Sequence, residues 1–235
     1  MIEKRALIIL TLNEIEGIRF LFSKIPFGKI DEILVVDGGS TDGTLDFLKE
    51  RGIRYLVQDK KGRGEAFRLG VANTQASRLV FFSPDGNENP EDIIKLLDLL
   101  DSCDMAIASR FLKGAHNEED GKIFPLRAWV NRIFTLFANI VWNKDVFVTD
   151  TINGFRAIKR EVFEALNIDA RGYVIEYQMS IRAMRLGYKI KEIPTWEGER
   201  IGGESQAKSL PTGIVFLRFL VRELFIRRTL INSKK

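Results

Sequence analysis

The chain has 235 residues, 45% of them apolar and 29% charged, which is enough for a full buried core and excludes wholesale disorder. A single cysteine, Cys103, and a single histidine, His116, exclude a disulfide framework, a Cys-rich zinc site and paired-histidine metal motifs. The net charge of +4 is uneven: Lys208–Lys235 holds seven basic residues and one acid, so the body is slightly acidic, and a tail both basic and apolar suits an anionic lipid surface better than DNA. In chain order, the apolar run Lys4–Leu10 reads as a strand, and Glu14–Ile25 has helical spacing up to Pro26. Glu32–Val36 is a second strand, followed by a helix to Arg51 capped by Ser40 or Thr41. Strand Ile53–Val57, helix Gly64–Asn73, strand Leu79–Phe82, helix Pro90–Leu100 and strand Met105–Ala108 continue the alternation. Such alternation predicts an α/β fold, Rossmann-like, with a mostly parallel sheet flanked by helices.

Beyond Arg110 the alternation fails. Gly114–Gly121 is a polar loop, and Ile123–Trp142 is an apolar-rich helix. Phe155–Ile158, Tyr188–Ile193 and Thr195–Arg200 are expected as strands, with helices Glu161–Leu166 and Ile175–Leu186 between them. Pro211–Ile231 is expected as a helix mixing arginines with Phe, Leu, Ile and Val. No apolar run reaches the roughly 18 residues that a spanning helix needs. The first ten residues lack a long apolar core and a cleavage site, so a cytoplasmic location is expected.

Three strand ends carry polar clusters: Thr11-Leu12-Asn13-Glu14, Asp37 to Gly43, and Ser83-Pro84-Asp85-Gly86-Asn87. A parallel sheet binds ligands at the carboxyl ends of its strands, so these clusters would meet on one edge. Glycine there lets backbone approach a ligand closely, and carboxylates can hold ribose, base or a divalent cation. One such cluster would be an ordinary turn; three on one edge point to a site. Gly62-Arg63-Gly64 lacks the third glycine of a dinucleotide motif, but Arg63 at a helix start can reach a diphosphate.

In order along the chain, these residues resemble the motifs of a family 2 glycosyltransferase with a GT-A fold. Within that family the chain is similar to the dolichol-phosphate mannose synthase and dolichol-phosphate glucosyltransferase group. The likeness runs from about Ala6 to Ser209. TLNE at Thr11 resembles PxYNE, and VVDGGSTDGT at Val35 resembles VVDDGSxDGT. The Gly62–Gly70 stretch resembles GLGxAxxxG, and SPDGNENPE at Ser83 aligns with DADLQHPPE. Ala108–Phe111 resembles GSRY, Asn153–Arg156 resembles SGFR, and Arg200 with Gly203-Glu204-Ser205 resembles R…GESK.

The resemblance implies roles. Thr11, Asn13, Glu14, Asp37, Gly39, Ser40, Arg63, Ser83, Pro84 and Asp85 would bind a UDP- or GDP-linked sugar, with Glu14 and Asp37 on its base and ribose. Asp85 and Asn87 would hold Mg²⁺ or Mn²⁺ on the diphosphate. Arg110, Arg200 and Ser205 would hold the acceptor phosphate, and Asp85, Arg110 and Arg200 would be the catalytic set. Residues 1–209 would form the transferase domain, with 123–142 an interfacial helix and 210–235 a membrane-associating tail. The chain would then lie peripherally on the cytoplasmic face of a membrane, with an anchoring subunit or a second copy as further partners.

Two residues depart from the pattern: Ser83 replaces the first aspartate of DxD, and Gly38 the second of VVDD. Mg²⁺ often takes only one or two carboxylates plus substrate phosphates, so the site is weakened, not abolished. The implied reaction moves a hexose or N-acetylhexosamine from a nucleotide to polyprenyl (dolichyl) phosphate with inversion, feeding glycan or glycoprotein assembly. The phosphate oxygen is already ionised at neutral pH and needs no general base. A same-fold transferase with a hydroxyl acceptor, a glycan or glycerolipid, would need one, and Asp150 and Glu176 are the carboxylates available. A non-catalytic nucleotide-binding membrane scaffold is the other alternative, raised by Ser83. Nucleic-acid binding is disfavoured by the acidic body and the lack of any nucleic-acid module. Cys103 reads as structural and His116 as solvated.

Overall fold

The first strand, β1 (Arg5–Thr11), is buried along nearly its whole length, as a strand with helices on both faces must be. It pairs in parallel with β2 (Glu32–Asp37) on one side and β4 (Arg78–Phe82) on the other. The short β3 (Tyr55–Val57) adds to β2, and β5 (Met105–Ser109) pairs in parallel with β7 (Ile190–Pro194). Between β4 and β5 lies β6 (Arg156–Lys159), antiparallel to both, giving the order β3-β2-β1-β4-β6-β5-β7. The mostly parallel sheet expected from the alternation is therefore present, with one reversed strand in its middle. The computed structural model describes residues 3–118, 120, 126–202 and 209–226, with the backbone alone for 209–214.

Period-two alternation sorts the strand residues onto two cores. Leu7, Ile9, Val35, Val80 and Phe82 face α1 (Ile15–Phe22), α2 (Thr44–Glu50) and α4 (Asp92–Leu99). Ile8, Leu10, Leu34, Val36 and Phe81 face the other way. There they meet α3 (Arg63–Ala72), α6 (Arg160–Ala165) and α7 (Ile175–Leu186). Helices α5 (Leu126–Trp142) and α8 (Ser209–Phe225) lie outside that second layer. Phe216, Phe219 and Leu220 of α8 are buried, and Phe216 packs on Phe134 and Tyr177. A buried Arg182–Glu223 pair ties α8 to α7.

Several expectations need correction. Ser40 and Thr41 do not cap α2, which starts at Thr44 behind Gly43. Asp42 instead accepts bonds from the Thr44 N–H and hydroxyl. Thr195–Arg200 forms no ladder beyond one bridge, His116 to Trp196, and runs as a strap over the β4–α4 loop. His116 is not merely solvated: its ring stacks on Trp196 at 4.0 Å, and its Nδ1 lies 3.1 Å from the Glu197 carbonyl oxygen. Cys103 is buried, and burial pushes its thiol up to about 11, in keeping with a structural role. Ser205, the Gly203-Glu204-Ser205 motif, the first residues of the Ile123–Trp142 helix and the tail beyond Ile226 lie outside the described residues.

Candidate active site

The carboxyl ends of β1, β2 and β4 bring the three polar clusters together. Asn13 takes a left-handed conformation (φ 56°) that asparagine tolerates well. Its N–H donates to Ser40 Oγ at 2.8 Å, and its Oδ1 accepts from the Thr41 N–H at 2.8 Å. Asp42 accepts from the Ile15 N–H at 2.9 Å, so the first two loops are bonded to each other. Asp37 is fully buried. One of its oxygens accepts from the Gly39 and Ser40 N–H groups and the other from the Ser40 hydroxyl, all within 2.7 Å. This aspartate shapes the Gly39–Ser40 turn from within, so its carboxylate is committed before any ligand arrives.

The third cluster folds over α1, with the Pro84 carbonyl against Gly17. Gly86 has φ +97°, and a Cβ there would press on Ile201, so the loop needs glycine for both reasons. Ile201 and Gly198 donate backbone bonds to the Asp85 and Asn87 carbonyls at 2.7 and 3.0 Å, which lays the strap along the loop. Arg200 then projects between two carboxylates. Its Nη1 donates to Asp85 Oδ2 at 3.0 Å and its Nη2 pairs with Glu14 Oε1. Burial raises Glu14 to about 7, against the lowering effect of Arg200 and with a further push from Asp85. Burial likewise raises Asp85 despite Arg200.

Three buried oxygens on this edge have no partner: Thr11 Oγ1, Glu14 Oε2 and Asn87 Oδ1. Buried polar atoms are almost always bonded, so orphans clustered in one place mark a site shaped for a ligand. Among the described residues no three carboxylate, imidazole or thiolate groups converge as a closed metal cage. Asp85 with the Asn87 amide oxygen is instead the sparse oxygen set that suits a hard cation completed by phosphate and water.

Arg63 opens α3 and reaches Ser83 Oγ at 3.4 Å while pairing with Glu176. Its approach depends on Gly64, whose Cβ would strike the Ala170 carbonyl and whose N–H donates to the Arg171 carbonyl at 2.8 Å. Arg110 lies on the far side of the strap. Its guanidinium is bidentate on Asp150 at 2.7 and 3.1 Å and lies 3.4 Å from Glu197. The acceptor-phosphate role expected for Arg110 would have to compete with two carboxylates that already match its charge, as Arg200 is matched by Glu14 and Asp85. Arg156, the last residue of the SGFR-like stretch, is fully buried and donates to the Asn153 and Glu176 carbonyls, fixing α7 to β6. Burial pulls it down to about 10 in spite of Glu176 and Asp150.

One site residue escaped sequence reasoning. Glu88 accepts from the Ser83 N–H at 2.7 Å. Burial, reinforced by the charge of Asp85, raises it well above the usual carboxylate range. Ser83 lacks a side-chain carboxylate, and Glu88 supplies one to the same loop from five residues further along. Only its place in SPDGNENPE, beside the missing aspartate, could have signalled this.

Residues 6–166 match the family described as Glycosyl transferase family 2. A curated relative, glycosyltransferase AglJ of Haloferax volcanii, is 31% identical over 217 residues, covering 90% of this chain and 69% of that protein. Polyprenol monophosphomannose synthase of Mycolicibacterium smegmatis is 30% identical, covering 99% of this chain and 91% of that protein. Among solved structures, glucosyl-3-phosphoglycerate synthase of Mycobacterium tuberculosis, in complex with Mn²⁺, UDP-glucose and phosphoglyceric acid, superposes with a TM-score of 0.73 at 18% identity. That match covers 96% of this chain and 81% of the other. The chain belongs to glycosyl transferase family 2.

Proposed function

We propose that this chain transfers a sugar from a nucleoside diphosphate donor to a polyprenyl phosphate at a membrane surface, with inversion at the anomeric carbon. The observation that carries the reading is the set of orphaned buried oxygens on Thr11, Glu14 and Asn87 at the strand ends, where Arg200 joins Glu14 to Asp85. The relative named as a polyprenol monophosphomannose synthase supports the acceptor class.

Thr11 Oγ1 and Glu14 Oε2 are the free groups that would meet the N–H and O–H donors of base and ribose. Asp37 would act one step removed, by holding Gly39 and Ser40 in the turn that lines the nucleoside. Arg63, steadied by Glu176, would lie against the diphosphate near Ser83 and Pro84. Asp85 and Asn87 would hold Mg²⁺ or Mn²⁺, which when bound neutralises charge developing on the leaving diphosphate. Arg200 would orient the acceptor phosphate by charge-assisted bonds, and Arg110 would order the strap carrying Arg200 through its pairing with Glu197. The attacking oxygen is ionised already, so orientation is most of what the protein must supply.

The membrane part of the reading rests on two outward faces. Trp129, Ile133 and Ile140 of α5 are exposed at helical spacing, as are Leu217, Val221, Leu224 and Phe225 of α8. Phe216, Phe219 and Leu220 of α8 are turned inward and buried, so only part of its apolar surface faces out. Among the described residues no helix is long and apolar enough to cross a membrane. The test is transfer of radiolabelled sugar from a panel of UDP- and GDP-sugars into a solvent-extractable lipid, with and without Mn²⁺. Asp85→Ala should abolish transfer in a folded protein; near-normal turnover, or label entering only water-soluble acceptors, would overturn the reading.

A further inference from the structure

A cavity of about 430 Å³ lies between α8 and the Asp169–Val174 segment, a size in the range of small-ligand sites. The α8 side contributes Val215, Arg218, Phe219 and Arg222, one stripe at i, i+3, i+4 and i+7. Ala170, Arg171 and Val174 form the opposite wall. Among the described residues the only acid lining it, Asp169, is matched already: Arg222 grips it at 2.9 and 3.1 Å and Arg182 lies 3.1 Å away. The Arg171 and Arg218 side chains have no hydrogen-bond or close salt-bridge partner among the described residues, although Arg171 shares the field of Glu65 on α3, so the cleft carries two cations open to a ligand over an apolar floor.

The cleft is distinct from the transfer site. The Ala170–Arg171 backbone separates them, taking the Gly64 N–H on its other side. Phe216, on a neighbouring stripe of α8, packs toward α5. From the cleft the exposed ridge of Leu217, Val221, Leu224 and Phe225 continues along the same helix. An occupant must then combine an anionic head with an apolar body beside it. We infer that this cleft binds the headgroup of an anionic phospholipid, with Arg171 and Arg218 on its phosphate and α8 lying along the acyl boundary. The inference rests on the membrane-surface reading above and adds a specific headgroup site to it.

The test uses the full chain and sedimentation with vesicles of phosphatidylcholine alone or in equal parts with phosphatidylglycerol. Arg171→Ala/Arg218→Ala should lower partition onto the anionic vesicles about thirtyfold, and each single change about fivefold, leaving phosphatidylcholine binding unchanged. Neither side chain makes a hydrogen bond or close ion pair among the described residues, so circular dichroism should show an intact fold. The control Lys29→Ala/Lys49→Ala removes two exposed charges from the helices on the opposite face of the sheet, and should leave both partitions near wild type. Soluble dihexanoyl phosphatidylglycerol should compete the wild type off anionic vesicles, while the same concentration of inorganic phosphate should not. Wild-type partition by the double variant, or equal loss in the control, would overturn the site. Competition by phosphate as strong as by lipid would make it a free-anion site and overturn the lipid assignment. If the wild type sediments with neither vesicle, the membrane reading itself fails and takes this inference with it.

Discussion

Glu223→Ala should cost this protein about 3 kcal/mol of stability, because α8 is held by a buried charge. The Glu223 carboxylate is fully buried. It accepts from Gln178 Nε2 at 3.1 Å, Arg182 Nε and Nη2 at 3.2 and 2.7 Å, and Arg222 Nη2 at 2.8 Å. Deleting one partner of a buried pair costs about 3–5 kcal/mol, because the other charge stays desolvated. Arg182 would keep Asp169 and the Leu166 and Asn167 carbonyls, which places the cost at the lower end. Against a typical total of about 5–15 kcal/mol that is a large fraction. Arg182→Met/Glu223→Leu should recover most of the loss, since no unpaired charge remains. Burial alone would raise the Glu223 carboxyl, but bonds from Arg182, Arg222 and Gln178 outweigh it and hold it below the usual range. Its contribution is therefore present above the ordinary carboxylate pKa and is lost as pH falls, and this acid sensitivity should vanish in Glu223→Ala. Urea denaturation followed by circular dichroism measures both effects. A loss under about 1 kcal/mol, or a double variant no better than the single, would refute a charge-anchored α8.

Glu14 gives the opposite pH dependence. Raised to about 7 in the folded state, it makes unfolding free energy fall as pH rises from about 4.5 to about 7, by an amount on the order of 2–3 kcal/mol. Glu14→Gln should flatten that slope in urea titrations, and an unchanged slope would place the buried proton elsewhere. Arg200→Ala should lower kcat/KM for the lipid phosphate about 10- to 100-fold, the cost of losing one charge-assisted contact, while donor-free Mn²⁺ binding holds or improves once a competing cation is gone. Weakened nucleotide binding with unaltered lipid use would reverse the assignment of Arg200.

Local signals carried the half of the chain up to Ser109. The apolar runs of β1, β2 and β4 are buried on both faces, so their composition reports their position directly. Their polar ends are legible for the same reason, since Gly, Asp and Asn break an apolar run where the chain leaves the sheet. What stayed hidden is set by distant partners. The sequence of β6 reads as a strand, yet its reversed insertion between β4 and β5 follows from the path of residues 110–155 and not from its own residues. Thr195–Arg200 has the composition of a strand, but Ile201 and Gly198 spend their N–H groups on the β4–α4 loop. Helical periodicity gave α8 two greasy sides and could not say which one Tyr177 and Phe134 would cover.

The departures at Ser83 and Gly38 gain a physical account once the loops are seen together. Gly38 removes a carboxylate from a turn whose neighbour Asp37 already accepts from three donors, and a Cβ at position 38 would press on the Leu12 side chain. At Ser83 the missing carboxylate leaves a backbone N–H, which Glu88 takes up. The edge thus carries Glu14, Asp85 and Glu88 close to Arg200 and Arg63, with Lys61 on the Gly38 carbonyl, and burial keeps all three carboxyls raised. Carboxyls held raised in this way would favour a ligand that brings a cation with it, and under the proposed reading Arg200 would exchange Glu14 and Asp85 for an arriving phosphate. The same burial that makes the three carboxyls costly to ionise would make binding of donor and cation mutually dependent.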